Sequence, residues 1–184
     1  MVAALFFGAL VAGILLWGIF AYNRLVHYRV LAEESWSDID AHLKRRWDLI
    51  PSLVEAVRGY AAHEAVVLEQ VTRARVRALD AASPSAKAQA GESLQDALFS
   101  LFAIAEAYPN LLADRGFLDL QQTLAESEDA IQRSRKLYNA VVRELNTEIA
   151  AFPKNMIAGV FRFAARDYYA LPNEIAREAP RLVL

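Results

Sequence analysis

The sequence predicts an all-α protein: an N-terminal transmembrane helix, then an up-and-down bundle of long helices with a short final helix. Two observations lead to this prediction. Apolar residues recur at helical spacing along most of the chain. Turn-forming residues are also too sparse for a sheet-rich fold, because only four glycines follow residue 22. Those glycines are Gly59, Gly91, Gly116 and Gly159.

The first element is the uncharged apolar run from Met1 to Tyr22, which forms the first of two predicted domains. As a helix it would rise about 33 Å, enough to cross a hydrocarbon core of about 30 Å. No Lys or Arg precedes the run and no small-residue cleavage pattern ends it, so an anchor is preferred to a cleaved secretory signal. Arg24 and Arg29 follow it, which by the positive-inside rule predicts a single-pass protein with its C-terminal domain in the cytoplasm.

Residues 23–184 are predicted to form one helical bundle domain, and its first stretch, to Ala81, carries an apolar stripe away from the membrane. Pro51 either kinks one long helix there or starts a second one. The next predicted helix along the chain, of about 24 residues, is too short to cover the whole stripe. The uncovered part is therefore a candidate self-association surface, with the final helix as the alternative cover. Its residues are Leu25, Trp36, Ile39, Leu43 and Trp47.

Two further long segments are predicted to be helical. Ser83 is a suitable N-cap, with Pro84 in the first helical position, for a segment that ends before Tyr108. Between Gly116 and Phe152, apolar residues recur every seven positions, as in the seam of a coiled coil. The seam consists of Phe117, Leu124, Ile131, Tyr138, Leu145 and Phe152, and Ser127 and Ser134 lie at intervening positions.

The final helix, from about Lys154 to Tyr169, is rich in aromatic and basic residues. An amphipathic helix of this composition can lie on a membrane surface. Packing of the same helix on the bundle is the alternative. The candidate membrane-contact residues are Phe161, Arg162, Phe163 and Arg166.

No catalytic, cofactor-binding or metal-binding site is predicted. The chain has no Cys, and it lacks phosphate-loop, dinucleotide-binding and serine-hydrolase motifs. His63-Glu64 begins like a zinc-protease motif, but Val67 stands where the second histidine belongs. Glu64, Glu106 and Glu128 lack the Glu-x-x-His pairs of di-metal bundles, so pairing with arginines is predicted for them. A pI of about 5.9 argues against a nucleic-acid partner.

Several motifs together resemble the LemA family of bacterial membrane proteins. They follow family-like order and spacing from Tyr22 to Tyr169 and include LKRRWDLIPSLV (43–54), GYAAHE (59–64) and AEAYPNL (105–111). Trp47 departs from the family pattern, in which His or Asn is frequent. The resemblance implies an anchor in the bacterial inner membrane and a bundle of long helices, and it supplies no catalytic residues.

The favoured function is a membrane-anchored, non-enzymatic scaffold or interaction protein that self-associates. Its expected partners are the lipid bilayer, further copies of itself and other membrane proteins such as a membrane protease. The alternative is a membrane-remodelling or lipid-contacting protein that acts through the final helix. A metal-assisted enzyme is the least favoured alternative.

Overall fold

A computed structural model describes residues 1–170, and every regular element in this range is a helix. The six helices are α1 (Val2–Tyr60), α2 (Ala65–Asp80), α3 (Pro84–Ala105), α4 (Pro109–Leu112), α5 (Arg115–Ala150) and α6 (Lys154–Val160). The predicted all-α class, with long helices and a short final helix, is confirmed.

Helix α1 is a single helix of 59 residues that includes both the apolar N-terminal run and Pro51. Its first part is long and apolar enough to cross a membrane, and the side chains there are exposed. At about 1.5 Å per residue, α1 is about 88 Å long. The sequence left open whether Pro51 starts a new helix, and the structure answers that it does not.

Helix α1 continues through Pro51 because another helix replaces the hydrogen bond that proline cannot make. Proline has no backbone N–H, so the carbonyl of Trp47, four residues earlier, loses its helical donor. Arg75 of α2 supplies one: its Nε donates to the Trp47 carbonyl oxygen at 2.7 Å. The pair also fixes α2 against α1 as an antiparallel neighbour, because the chain reverses between them at residues 61–64.

The predicted helix ends are confirmed around α3 and missed after α1. Ser83 caps α3, since its hydroxyl oxygen accepts from the Ala86 N–H at 3.1 Å, and Pro84 is the first helical residue. The helix ends at Ala105, before Tyr108 as predicted. The break at residues 61–64, which the sequence did not predict, ends α1 at Tyr60.

Helix α5 contains the predicted seven-residue seam, and its first five members are buried: Phe117, Leu124, Ile131, Tyr138 and Leu145. The sixth, Phe152, lies beyond the end of the helix and is exposed. Ser127 is also buried and satisfies its hydroxyl locally, donating to the Leu124 carbonyl at 2.7 Å. The seam therefore faces a protein core along the length of the helix.

The described chain divides into two compact units, and α1 and α5 contribute to both. Unit 1 consists of Met1–Trp36 and Leu137–Arg166. In it α1 and α5 run antiparallel. Trp36 packs on Tyr138 with ring centroids 5.3 Å apart, and Arg24 pairs with Glu148 at 2.9 Å.

Among the described residues, unit 2 consists of Ser37–Lys136 and residues 167–170. Within it α2 packs on α3, and Lys87 of α3 forms an ion pair with Asp40 of α1. The ring centroids of Phe102 and Phe117 lie 6.4 Å apart, and the turn that contains α4 connects the two residues along the chain. Helices α2 and α3, each with a row of buried residues, therefore pack on each other within unit 2.

Candidate membrane-contact site

The strongest candidate site lies in unit 1, where the uncharged run of α1 ends. Tyr22 is the last residue of that run, and two phenylalanine rings from the segment after α6 pack on it. The Phe161 centroid lies 4.7 Å and the Phe163 centroid 5.8 Å from that of Tyr22. Arg29, further along α1, holds its guanidinium carbon 5.2 Å from the centre of the Phe163 ring.

Glu148, near the end of α5, joins three helices at this site. Its Oε1 lies 2.9 Å from Arg24 Nη2 of α1, and its Oε2 accepts from Lys154 Nζ of α6. The Glu148 carboxylate is almost fully buried, and a buried charge is costly unless it is paired. Here each of its two oxygens contacts a cation. This cluster holds the start of α6 against the end of the apolar run.

The segment after α6 is fixed by a second set of polar contacts. Asn146 donates from Nδ2 to the Arg166 carbonyl at 3.0 Å and accepts from the Arg166 N–H at 2.9 Å. The Arg166 side chain donates to Glu33 of α1 at 2.6 Å. Arg166, predicted to contact the membrane, is therefore engaged with α5 and α1.

The expectation of one helix from Lys154 to Tyr169 is wrong, because α6 ends at Val160. Arg162 has a left-handed backbone with φ 55°. Its N–H donates to the Gly159 carbonyl at 3.2 Å, and the Phe163 N–H donates to the Ala158 carbonyl at 2.9 Å. These two bonds form the Schellman motif that terminates helices. Consequently Phe161, Arg162, Phe163 and Arg166 follow the helix instead of forming one of its faces.

We call the residues around this junction the collar: Tyr22, Arg24, Arg29, Glu148, Lys154, Phe161, Arg162 and Phe163. It contains four cationic side chains and one carboxylate. Phe161 is itself exposed, and beside the collar three more large apolar side chains are exposed: Phe152, Met156 and Val160. Cations combined with exposed apolar groups are the composition of surfaces that contact lipid headgroups.

The predicted self-association surface is not exposed in the structure. In unit 1, Leu25 is completely buried and Trp36 packs on Tyr138. In unit 2, Ile39, Leu43 and Trp47 are buried as well.

The reason is that α5, with 36 residues, contributes to both units and contacts α1 in each. Apolar spacing along α1 does not indicate which distant helix covers the stripe, and so the cover by α5 was not predicted. The stripe therefore gives no exposed surface for self-association, which stays a prediction without a surface assigned to it.

Unit 2 contains a buried ion pair of Glu128, for which pairing with an arginine was predicted, but the sequence did not identify Arg46 as its partner. Arg46 is 5% exposed, and its Nη1 lies 2.7 Å from Glu128 Oε2 of α5. Within the described residues, the buried atoms Arg46 Nε and Glu128 Oε2 have no hydrogen-bond partner, so the contact is an ion pair without a hydrogen bond to Oε2. Spacing was the available signal, because Arg46 lies three residues after Leu43 and four before Ile50 on the buried face of α1.

Tyr169 lies close to this ion pair in unit 2. The pKa of the Tyr169 hydroxyl is raised to about 12, mainly by burial and also by the negative charge of Glu128. The positive charges of Arg46 and Arg135 act in the opposite direction. The phenol is thus held neutral inside the unit.

The family model described as the LemA family matches residues 35–183, which is most of the chain. The chain belongs to the LemA family. It is similar to the magnetosome proteins MamQ 1 and MamQ 2 of Paramagnetospirillum magneticum, each 24% identical over 174 residues. That match covers 80% of this chain and 64% of each relative. It is also similar to Protein LemA of Metamycoplasma hominis, 27% identical over 140 residues, which covers 74% of this chain and 63% of the relative.

This LemA-family chain thus spans less than two thirds of the length of these curated relatives. The matched residues include Glu148 and the segment after α6, whereas Tyr22, Arg24 and Arg29 precede them. The collar therefore combines part of the family domain with the end of the apolar run.

An apolar groove of about 300 Å³ lies in unit 2 of this LemA-family chain, and Arg46 and Glu128 are among its lining residues. It is bordered by α3 and α5, and Phe99 at its edge is 76% exposed. Within residues 1–170, no three His, Asp or Glu side chains are grouped so as to hold a metal ion. The groove therefore offers apolar contact area together with the two charged side chains of the Arg46–Glu128 ion pair.

Proposed function

We propose that this chain is a membrane-anchored helical platform that carries out no reaction itself and binds other proteins, further copies of itself included. The observation that carries the proposal is the continuity of α1. Its apolar first part and its core-forming part are one helix, so no flexible linker separates the anchor from unit 1. Buried charges such as Glu148 join helices to one another, which supports a structural role for them.

The proposed location is the bacterial inner membrane, with a single span and the bundle in the cytoplasm. Arg24 and Arg29 follow the apolar run, and positive charge marks the cytoplasmic side. Lys154 and Arg162 lie in the same collar and add to this charge. Protease added to intact spheroplasts should leave the bundle intact and digest it only after lysis. Digestion without lysis would reverse the proposed orientation.

Partner binding is tested by crosslinking in native membranes. The chain has no Cys, so one photo-reactive group can be attached through Phe99→Cys at the groove, with Glu126→Cys on the exposed face of α5 as the control. An adduct of twice the chain mass supports self-association, and an adduct with a second membrane protein, such as a protease, supports an interaction platform. Equal and negligible adducts at both positions would contradict binding at this groove.

The second candidate function is contact with, or remodelling of, the lipid bilayer. The packing of Phe161 and Phe163 on Tyr22 favours it, since this contact holds exposed apolar side chains at the end of the apolar run. A fluorophore on Met156→Cys should be quenched by quenchers carried on lipid tails, whereas one on Leu137→Cys should not. Leu137 is exposed but lies beside Tyr138, more than two helical turns from Glu148. Equal quenching at both positions would contradict this function.

A further inference from the structure

We propose that the collar binds the phosphate of anionic phospholipid headgroups. This inference rests on the second candidate function, lipid contact, and names the class of lipid. Its first support is position. Tyr22 ends the uncharged run, and Phe161 and Phe163 pack directly on it, so the collar lies at the depth where tyrosine side chains meet the headgroup region.

The second support is charge. The collar holds the cations Arg24, Arg29, Lys154 and Arg162 against the single carboxylate Glu148. Glu148 is shared between Arg24 and Lys154, and Arg29 lies over the Phe163 ring, where it keeps its full charge. The neighbouring Arg166 is paired with Glu33 and adds no net charge. The collar therefore presents an excess of positive charge to the plane of the headgroups.

The third support is the choice of residue at position 162. The left-handed position of a Schellman motif is normally occupied by glycine, because other residues are strained there. This chain has Arg162 in that position with φ 55°. Its side chain is exposed and makes no hydrogen bond or ion pair with any residue between 1 and 170. A strained backbone that presents an unpaired cation indicates a role for that cation outside the fold.

The apolar neighbours make lipid the fitting source of the phosphate. Phe152, Met156 and Val160 are at least 64% exposed, and Phe161 is 58% exposed. A soluble phosphate would use the cations alone, whereas a phospholipid also covers these apolar groups with its acyl chains. The structure thus assigns one ligand with two chemical parts, a phosphate for the cations and hydrocarbon for the exposed side chains.

The test uses the full chain, carrying a fluorophore on Met156→Cys, in phosphatidylcholine nanodiscs. A quencher is placed on the acyl chain of either phosphatidylglycerol or phosphatidylcholine at equal mole fraction. We expect several-fold stronger quenching by phosphatidylglycerol. Arg162→Gly should lower this preference about fivefold, as loss of one cation near an anionic surface predicts. Arg162→Lys should retain it, and Arg133→Gln, an exposed charge on α5, should leave it unchanged.

Arg162→Gly also separates recognition from folding. Glycine relieves the left-handed strain, so the variant should unfold at the same or a higher temperature than the wild type. Equal quenching by both lipids would overturn the headgroup inference and leave lipid contact standing. Absence of quenching by either lipid would overturn lipid contact itself. Reversal of the preference by millimolar inorganic phosphate would overturn the choice of a lipid as the ligand.

Discussion

Helix α5 contributes one carboxylate to an ion pair in each unit, Glu148 in unit 1 and Glu128 in unit 2. The two ion pairs differ in whether the carboxylate or the cation is the buried partner. Glu148 is the buried partner, and its cations Arg24 and Lys154 are partly exposed, the former by 42%. In unit 2 the cation Arg46 is buried and Glu128 is partly exposed. Loss of Glu148 leaves cations that water can solvate, whereas loss of Glu128 leaves a buried arginine. The same type of contact therefore differs in how strongly the fold depends on it.

Among the variants considered, Glu128→Ala is expected to lower the free energy of unfolding most. This change leaves the Arg46 charge buried without a partner, which costs about 3–5 kcal/mol of unfolding free energy. Urea unfolding followed by circular dichroism measures it, and Glu126→Ala on the exposed face should change stability by less than about 0.5 kcal/mol.

The double variant Arg46→Met/Glu128→Leu sharpens the same test. It removes both charges and keeps apolar volume, so its stability should return close to that of the wild type. A single variant Glu128→Ala that unfolds within about 1 kcal/mol of the wild type would mean that Arg46 is solvated after all.

A smaller effect is expected for Glu148→Gln in unit 1. Arg24 and Lys154 lose a charge partner but can turn to water, so we expect a loss of about 1–2 kcal/mol. The loss should be local to α6, which the ion pair with Lys154 holds. Hydrogen exchange should rise in residues 154–160 and stay unchanged in α2, with Glu144→Gln, an exposed neighbour on α5, as the control. A uniform rise throughout the chain would argue against a local role.

The Arg75–Trp47 hydrogen bond should behave as a partner of Pro51. Arg75→Met removes the donor to the Trp47 carbonyl and should cost about 1–2 kcal/mol. In a Pro51→Ala background the helix regains its own N–H donor, so the same change should cost less. A double-mutant cycle measured by chemical denaturation gives the difference. Equal costs in both backgrounds would show that Arg75 does not compensate for Pro51.

The smallest effect concerns Tyr169 and appears only in alkali. Its pKa is raised to about 12 in the folded state, against about 10 unfolded, and burial is the main cause. Below pH 10 the Tyr169 hydroxyl is protonated in both the folded and the unfolded state, so it does not make the free energy of unfolding depend on pH. Above pH 10 the unfolded state loses the proton first, so stability falls until pH 12, by about 1 kcal/mol at pH 11. Tyr169→Phe should remove this part of the alkaline loss, and identical alkaline curves for the two proteins would contradict the shift.

The sequence alone was sufficient for the helices whose apolar spacing is regular. The seven-residue seam from Phe117 to Leu145 and the Ser83–Pro84 start of α3 were predicted because each depends on neighbouring residues only. The break after Tyr60 was missed because residues 61–64 contain no glycine or proline. The end of α6 was missed for a similar reason, since Arg162 occupies a position where glycine is the usual signal.

Contacts between segments far apart in the sequence could not be predicted for a different reason. Arg46 belongs to a run of three basic residues, a pattern typical of a solvated face, and only the position of Glu128 in the fold explains its burial. The collar likewise depends on α5 returning to α1, which brings Phe161 to Tyr22 across more than a hundred residues of chain. Local spacing carries no information about which segment will supply the partner.

The continuity of α1 has a mechanical consequence for this protein. Within unit 1 the apolar run and the helix beneath the collar share one rotational phase, because each residue turns the helix by 100°. One alanine inserted between Gly18 and Tyr22 would rotate the collar by about 100° relative to the apolar side chains before the insertion and shift it by about 1.5 Å. In the proposed membrane anchor, a rotation of the apolar run would therefore turn Tyr22, on which Phe161 and Phe163 pack, by the same angle.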